Sequence, residues 1–116
     1  MTTFHVKPSS YFGDEATVAT GDRDGLRLFV DTLRSALSGD EAGFDCDGIR
    51  YRIARRSGAA ELAQGNGTVV FRLDGAKISE VADLTGALIA SNTAGHHYVD
   101  IDSPTSTLVI SVDECG

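Results

Sequence analysis

The sequence predicts an α+β fold, a two-layer sandwich in which a mostly antiparallel sheet of six or seven strands carries two helices on one face. Three observations lead there. Short stretches of apolar/polar alternation recur along the chain, the mark of strands with one buried and one exposed face. Two longer stretches instead carry apolar residues at helical spacing, and each opens on an aspartate able to cap it. The second of these helices, with the strands around it, repeats the plan of the first. With 116 residues, 41% of them hydrophobic, the chain has the size and apolar content of a single domain spanning 1–116.

Taken in order, TFHVK places Phe4 and Val6 on one face of a short edge strand that Pro8 ends, and EATVAT at 15–20 is a second strand rich in β-branched residues. The first helix is DRDGLRLFVDTLRSALSG. Asp22 or Asp24 caps it, Leu26, Phe29, Val30, Leu33, Ala36 and Leu37 form its apolar stripe, Gly25 weakens its first turn, and Gly39 stops it. FDCDG and IRYRIARR then read as a hairpin, with Ile49, Tyr51 and Ile53 on one face and Arg50, Arg52 and Ala54 on the other. SGAAELAQGNG reads as a connection containing an extra turn or short strand, and TVVFRLD as a further strand. The second helix starts at its cap Asp74, buries Ile78, Val81, Ala82, Leu88 and Ile89, and ends over Asn92 to Gly95. A hairpin turning at Pro104 closes the chain, with His97, Val99 and Ile101 inward on its first strand and Leu108, Ile110 and Val112 inward on its second.

The shift that carries Asp22 onto Asp74 also carries Leu26 onto Ile78, Phe29 onto Val81, Ala36 onto Leu88 and Gly43 onto Gly95. The following strands correspond as IRYRIA with LVISVD. The chain therefore reads as two βαββ pseudo-repeats, at about 15–56 and 67–114, preceded by one extra strand.

Composition narrows the functional classes. A net charge of −7 argues against general nucleic-acid binding, because phosphate contacts need a basic surface, and it suits association with a basic protein partner. The N-terminal stretch lacks the apolar and basic regions of a signal peptide, and no run approaches a membrane span, so a cytoplasmic protein without membrane contact is expected. No phosphate-binding glycine loop or serine-nucleophile elbow is present, and no cofactor is expected. Cys46 lies between Asp45 and Asp47, which oppose its ionisation and make it a poor nucleophile.

The open sheet face is the candidate site. His96, Tyr98, Asp100 and Asp102 follow one another on one side of a strand, about 7 Å apart, and Asp113 joins them from the last strand. Arg50, Arg52 and Arg72, with Arg55 and Arg56 nearby, supply a basic patch on the same face, either pairing with Asp100, Asp102 or Asp113 or contacting a partner. Arg and Tyr are residue types enriched at binding hot spots, so a non-enzymatic protein-binding surface is the leading expectation, with no metal site. The alternatives are a homo-oligomeric adaptor or chaperone-like scaffold, a homodimer in which open sheet faces or edge strands pair between copies, and a small metal- or His/Asp-dependent enzyme.

HHYVDID, a Ser/Pro/Thr turn and TLVISVDE together resemble the C-terminal hairpin of small acidic α+β immunity proteins of bacterial polymorphic toxin systems. The resemblance covers about the last quarter of the chain by motif and the rest by size, charge and layout. It implies a non-enzymatic protein that binds and blocks a cognate toxin encoded beside it; independently, a small acidic domain with an uncovered sheet face is suited to plugging a cleft that is basic because it binds nucleic acid or a phosphorylated cofactor. The resemblance assigns no role to individual residues.

Overall fold

The computed structural model describes residues 2–11, 14–91 and 95–112, and of residues 9–11 and 14 the backbone alone. In chain order the elements are β1 (Phe4–Tyr11), β2 (Asp14–Gly21), α1 (Arg23–Gly39), β3 (Glu41–Cys46), β4 (Ile49–Arg55), β5 (Ala60–Gly65), β6 (Thr68–Leu73), α2 (Gly75–Ala90), β7 (His96–Asp100) and β8 (Thr107–Val112). The fold is α+β with two helices. The single sheet of six or seven strands is corrected: eight strands form two four-stranded sheets, ordered β1-β2-β8-β7 and β3-β4-β6-β5. Both sheets are mixed. The central pairs, β2 with β8 and β4 with β6, are parallel, and the flanking pairs are antiparallel.

The organisation is ββαββ twice over. Each sheet takes one hairpin from each half of the chain, and exchanging the halves maps one sheet onto the other. The counterpart of β1 is β5, which lies inside the stretch expected to be mainly a connection. Asp47 and Gly48, both at positive φ (52° and 78°), make the two-residue turn that joins β3 to β4. β1 runs through Pro8 instead of ending there, because it is an edge strand and Pro8 follows Phe4 and Val6 on the side away from β2.

Both predicted helix caps are in place. Asp22 accepts a hydrogen bond from the Gly25 N–H and Asp74 from the Lys77 N–H, each at 2.7 Å. At the far end of α1 it is Asp40, at φ 72°, that adopts the left-handed conformation, and Gly39 is still helical. Arginines from the rest of the fold cover the exposed carbonyls at both helix ends: Arg55 donates to Leu37 O at 2.8 Å, and Arg23 to Ser91 O and Ile89 O. A cation there also opposes the helix dipole.

The helices pack along one another, α1 also against β2, β3 and β4, and α2 against β7 and β8. One hydrophobic core results, drawing residues from all ten elements. At its centre Phe4 of one sheet meets Tyr51 of the other edge-on, with ring centroids 5.0 Å apart, and Phe29 of α1 at 4.9 Å. The Tyr51 hydroxyl donates to Phe4 O at 2.9 Å, so a buried polar group is satisfied by a bond between the sheets.

Side-chain and backbone groups across that seam also close two of the four sheet edges. Tyr51 Oη and Gln64 Nε2 donate to the outward carbonyls of Phe4 and Val6 on β1. On β5, the Leu62 N–H donates to Ser103 O, and the Asp102 N–H donates to Ala60 O. Among the described residues no helix is long and apolar enough to cross a membrane.

Candidate protein-binding surface

The predicted site residues are divided between the two sheets. His96, Tyr98 and Asp100 are all exposed on the outer face of β7, the edge strand of the first sheet. His97 and Val99 alternate with them, half-buried and buried respectively. The row stops at Asp100. Asp102 lies in the turn beyond β7, where its backbone is tied to β5 and its side chain is exposed. Asp113 lies outside the described residues.

The register makes this face concrete. His96 stands beside Ser111, Thr20 and His5 in one cross-strand row, and Tyr98 beside Val109, Val18 and Lys7 in the next. The rings of His96 and Tyr98 meet edge to face, 5.3 Å apart. Tyr98 is 51% exposed, against 38% for Leu28, the other exposed large hydrophobic residue among those described. A Tyr held on a strand is a rigid, amphipathic contact residue.

Arg50, Arg52 and Arg72 stand on the outer face of the second sheet and do not share a surface row with β7. Each pairs with a carboxylate of its own sheet: Arg50 with Asp45 at 3.2 Å, Arg52 with Glu41 at 3.0 Å and Arg72 with Glu61 at 3.4 Å. Cross-strand pairing is thus their arrangement, but with partners other than Asp100, Asp102 or Asp113. One signal for it was available. A two-residue Asp-Gly turn fixes the β3–β4 register, which sets Asp45 opposite Arg50. These pairs are exposed, so they neutralise the face more than they stabilise the fold.

The electrostatic contrast follows directly. Around the second sheet, Arg55 pairs with Asp40, and Arg56 shares Glu41 with Arg52, so each of these arginines is held by a carboxylate. Asp100 and Asp102 form no ion pair among the described residues. Among the described residues both carboxylates are thus unpaired, Asp100 two residues along β7 from the exposed Tyr98 and Asp102 in the turn beyond.

Chemistry elsewhere is sparse. Among the described residues no group of three or more His, Cys, Asp or Glu is placed to hold a metal ion. Cys46 is buried at the end of β3, and burial, then the Asp47 carboxylate, pushes its thiol pKa up. Asp45 plays no part in that, since strand alternation turns it to the outer face and Arg50. A hollow near the seam, about 500 Å³, is bounded by residues that include Pro8, Ala16, Thr17, Leu62, Pro104 and Thr105, with Thr17 and Thr105 hydroxyls joined at 2.9 Å. Comparison with models of protein families, with curated proteins and with solved structures gave no match.

Proposed function

We propose that the protein is a non-enzymatic binding protein that recognises a basic surface on a partner protein through the outer face of β7 and the turn that follows it. In biological terms the reading is an immunity protein that neutralises a cognate bacterial toxin by direct binding. The observation that carries it is an exposed aromatic, Tyr98, followed by Asp100 on β7 and Asp102 in the turn beyond it, neither carboxylate in an ion pair among the described residues, while the arginines of the other outer face are each held by a carboxylate. Such a patch is suited to entering a basic cleft, where opposite charge speeds encounter and a buried aromatic slows dissociation.

The test is co-purification with the toxin domain encoded beside the gene, followed by binding kinetics. The double substitution Asp100→Lys/Asp102→Lys should lower the association rate and flatten its salt dependence. Tyr98→Ala should weaken affinity by about thirtyfold, the effect of a hot spot of about 2 kcal/mol. Arg50→Gln and Arg72→Gln should change affinity less than about threefold, in keeping with exposed, internally paired charges. Absence of binding at micromolar concentrations would remove the immunity reading for that pair. Unchanged kinetics in the charge reversal would remove β7 as the surface.

A further inference from the structure

The turn between β5 and β6 carries the one asparagine of the sequence that is followed by glycine, Asn66–Gly67. Gly65 and Thr68 pair across the turn, and Asn66 and Gly67, both exposed, make its tip. Gly67 adopts φ 72°, and a Cβ placed on it would meet nothing within 4 Å. Its carbonyl accepts the Arg50 N–H at 2.8 Å, but its own N–H donates no hydrogen bond among the described residues. The nitrogen next to the Asn66 side chain is thus uncommitted, open to solvent and unshielded by any side chain of its own residue.

Three Asp–Gly steps offer related chemistry, and the fold restrains each of them. Gly25, after Asp24, is buried in the first turn of α1 with its N–H bonded to Asp22 at 2.7 Å. Asp74, before Gly75, spends its carboxylate on the Lys77 N–H. Asp47, before Gly48, holds φ 52° in its turn with the Cys46 thiol against its carboxylate. Asn66 has no such tie among the described residues. It lines a surface hollow with Asp45, Gly48, Arg50 and Thr68. Arg50 gives Asp45 only its Nε, at 3.2 Å, and a guanidinium has further N–H groups to offer.

We propose that Asn66 is a site of spontaneous covalent modification, in which the Gly67 nitrogen attacks the Asn66 side-chain amide and turns it into a carboxylate. Asparagine is a thermolabile residue. Gly67 N gives its proton to solvent base and bonds to Asn66 Cγ. The bond from Cγ to the amide nitrogen breaks, and that nitrogen leaves as ammonia with a proton taken from water. A second step adds water to the cyclic imide. Breaking the bond from Gly67 N to Cγ yields aspartate. Breaking the bond from Gly67 N to the main-chain carbonyl carbon yields isoaspartate, with the main chain rerouted through the former side chain. Nothing is oxidised or reduced; water enters and ammonia departs. The aspartate product sets a carboxylate beside the terminal N–H groups of Arg50, in competition with Asp45. Isoaspartate lengthens the main chain just ahead of Gly67 and so displaces the carbonyl that holds the Arg50 N–H and joins β6 to β4. The site stands on the sheet opposite β7 and does not depend on the β7 reading.

The full chain is held folded at mildly alkaline pH, beside the same chain unfolded in urea, and peptides spanning the turn are followed by mass spectrometry. The acid product is expected at Asn66 of the folded protein at a rate within about tenfold of the unfolded chain, about 1.4 kcal/mol in barrier. Methylation of the aged protein by an isoaspartyl methyltransferase should reveal isoaspartate as a second product. In the isoaspartate form, isolated by ion exchange, hydrogen exchange at the Arg50 amide should quicken by about tenfold or more. It should keep the wild-type rate in Asn66→Asp, which adds the charge without lengthening the chain. A slower folded-state reaction would show that the turn shields the nitrogen, and acid without isoaspartate would show hydrolysis without Gly67. Either result, or equal Arg50 exchange in the two acid forms, would overturn the proposal.

Discussion

Tyr51 shows how one side chain can join the two sheets. Its ring is fully buried against Phe4 and Phe44, and its hydroxyl satisfies the Phe4 carbonyl at 2.9 Å. Removing that hydroxyl in Tyr51→Phe should cost about 1 kcal/mol in urea unfolding, the net value of one such hydrogen bond, and should speed amide exchange along β1. Burial, with the nearby Cys46 and Asp47 adding to it, pushes the phenol pKa up to about 12. In the unfolded chain a tyrosine ionises near pH 10. The folded pKa is the higher one, so this contribution is fully present below about pH 10 and is lost as pH rises toward about 12. A stability–pH curve of the wild type should fall more steeply across that window than the curve of Tyr51→Phe; parallel curves would show that the phenol does not govern the alkaline limb. At this scale the sequence was informative about side and silent about company. Alternation put Tyr51 inward, but nothing local named Phe4 as its partner.

The helices and hairpins were legible because their signals are local. Asp22 and Asp74 cap as expected, the apolar stripe of α1 is buried at every position from Leu26 to Ala36, and the Asp47–Gly48 turn fixes its hairpin. Glycines were harder to read, since their meaning depends on what lies opposite. Gly25 looked like a simple weakness in α1. In the fold a side chain there would put its Cβ 1.8 Å from Thr3 O, in the segment that leads into β1 and that bonds to Asp22 through its N–H at 3.2 Å. Gly86 of α2 has nothing within 4 Å of such a Cβ. Two substitutions of the same kind should therefore move in opposite directions. Gly86→Ala should stabilise by about 0.5–1 kcal/mol through helix propensity, and Gly25→Ala should destabilise by about 1–3 kcal/mol because backbone must be displaced. Thermal unfolding of the two variants side by side checks both. A Gly25→Ala variant as stable as wild type would mean that the N-terminal segment is not held on the helix.

The whole molecule is where local reading stopped. Alternation tells which face of a strand is buried but not which sheet receives it, and the parallel β2–β8 and β4–β6 pairs join residues from opposite halves of the chain. That is why Arg50, Arg52 and Arg72 were expected beside His96, Tyr98 and Asp100 and instead lie on another sheet. The same topology makes a strong demand on how the protein unfolds. Neither half contains a complete sheet, since each contributes two hairpins and a helix, and isolated two-stranded hairpins are marginal in water. The halves are connected only through the short turn from Arg56 to Ala59, in which Ser57 and Gly58 are exposed and Gly58 has φ 73°. Stability therefore comes from contacts between halves, and continuity of the chain at that turn contributes mainly by raising their effective concentration. A protease site inserted between Ser57 and Gly58 and cut in the native protein should leave the two fragments together on size exclusion, with an unchanged far-ultraviolet spectrum. The nicked protein should unfold in one cooperative step whose midpoint depends on protein concentration, because unfolding is now also dissociation. Fragments that separate under native conditions, or a half that unfolds in its own step, would show that the halves are independent units rather than interleaved parts of one core.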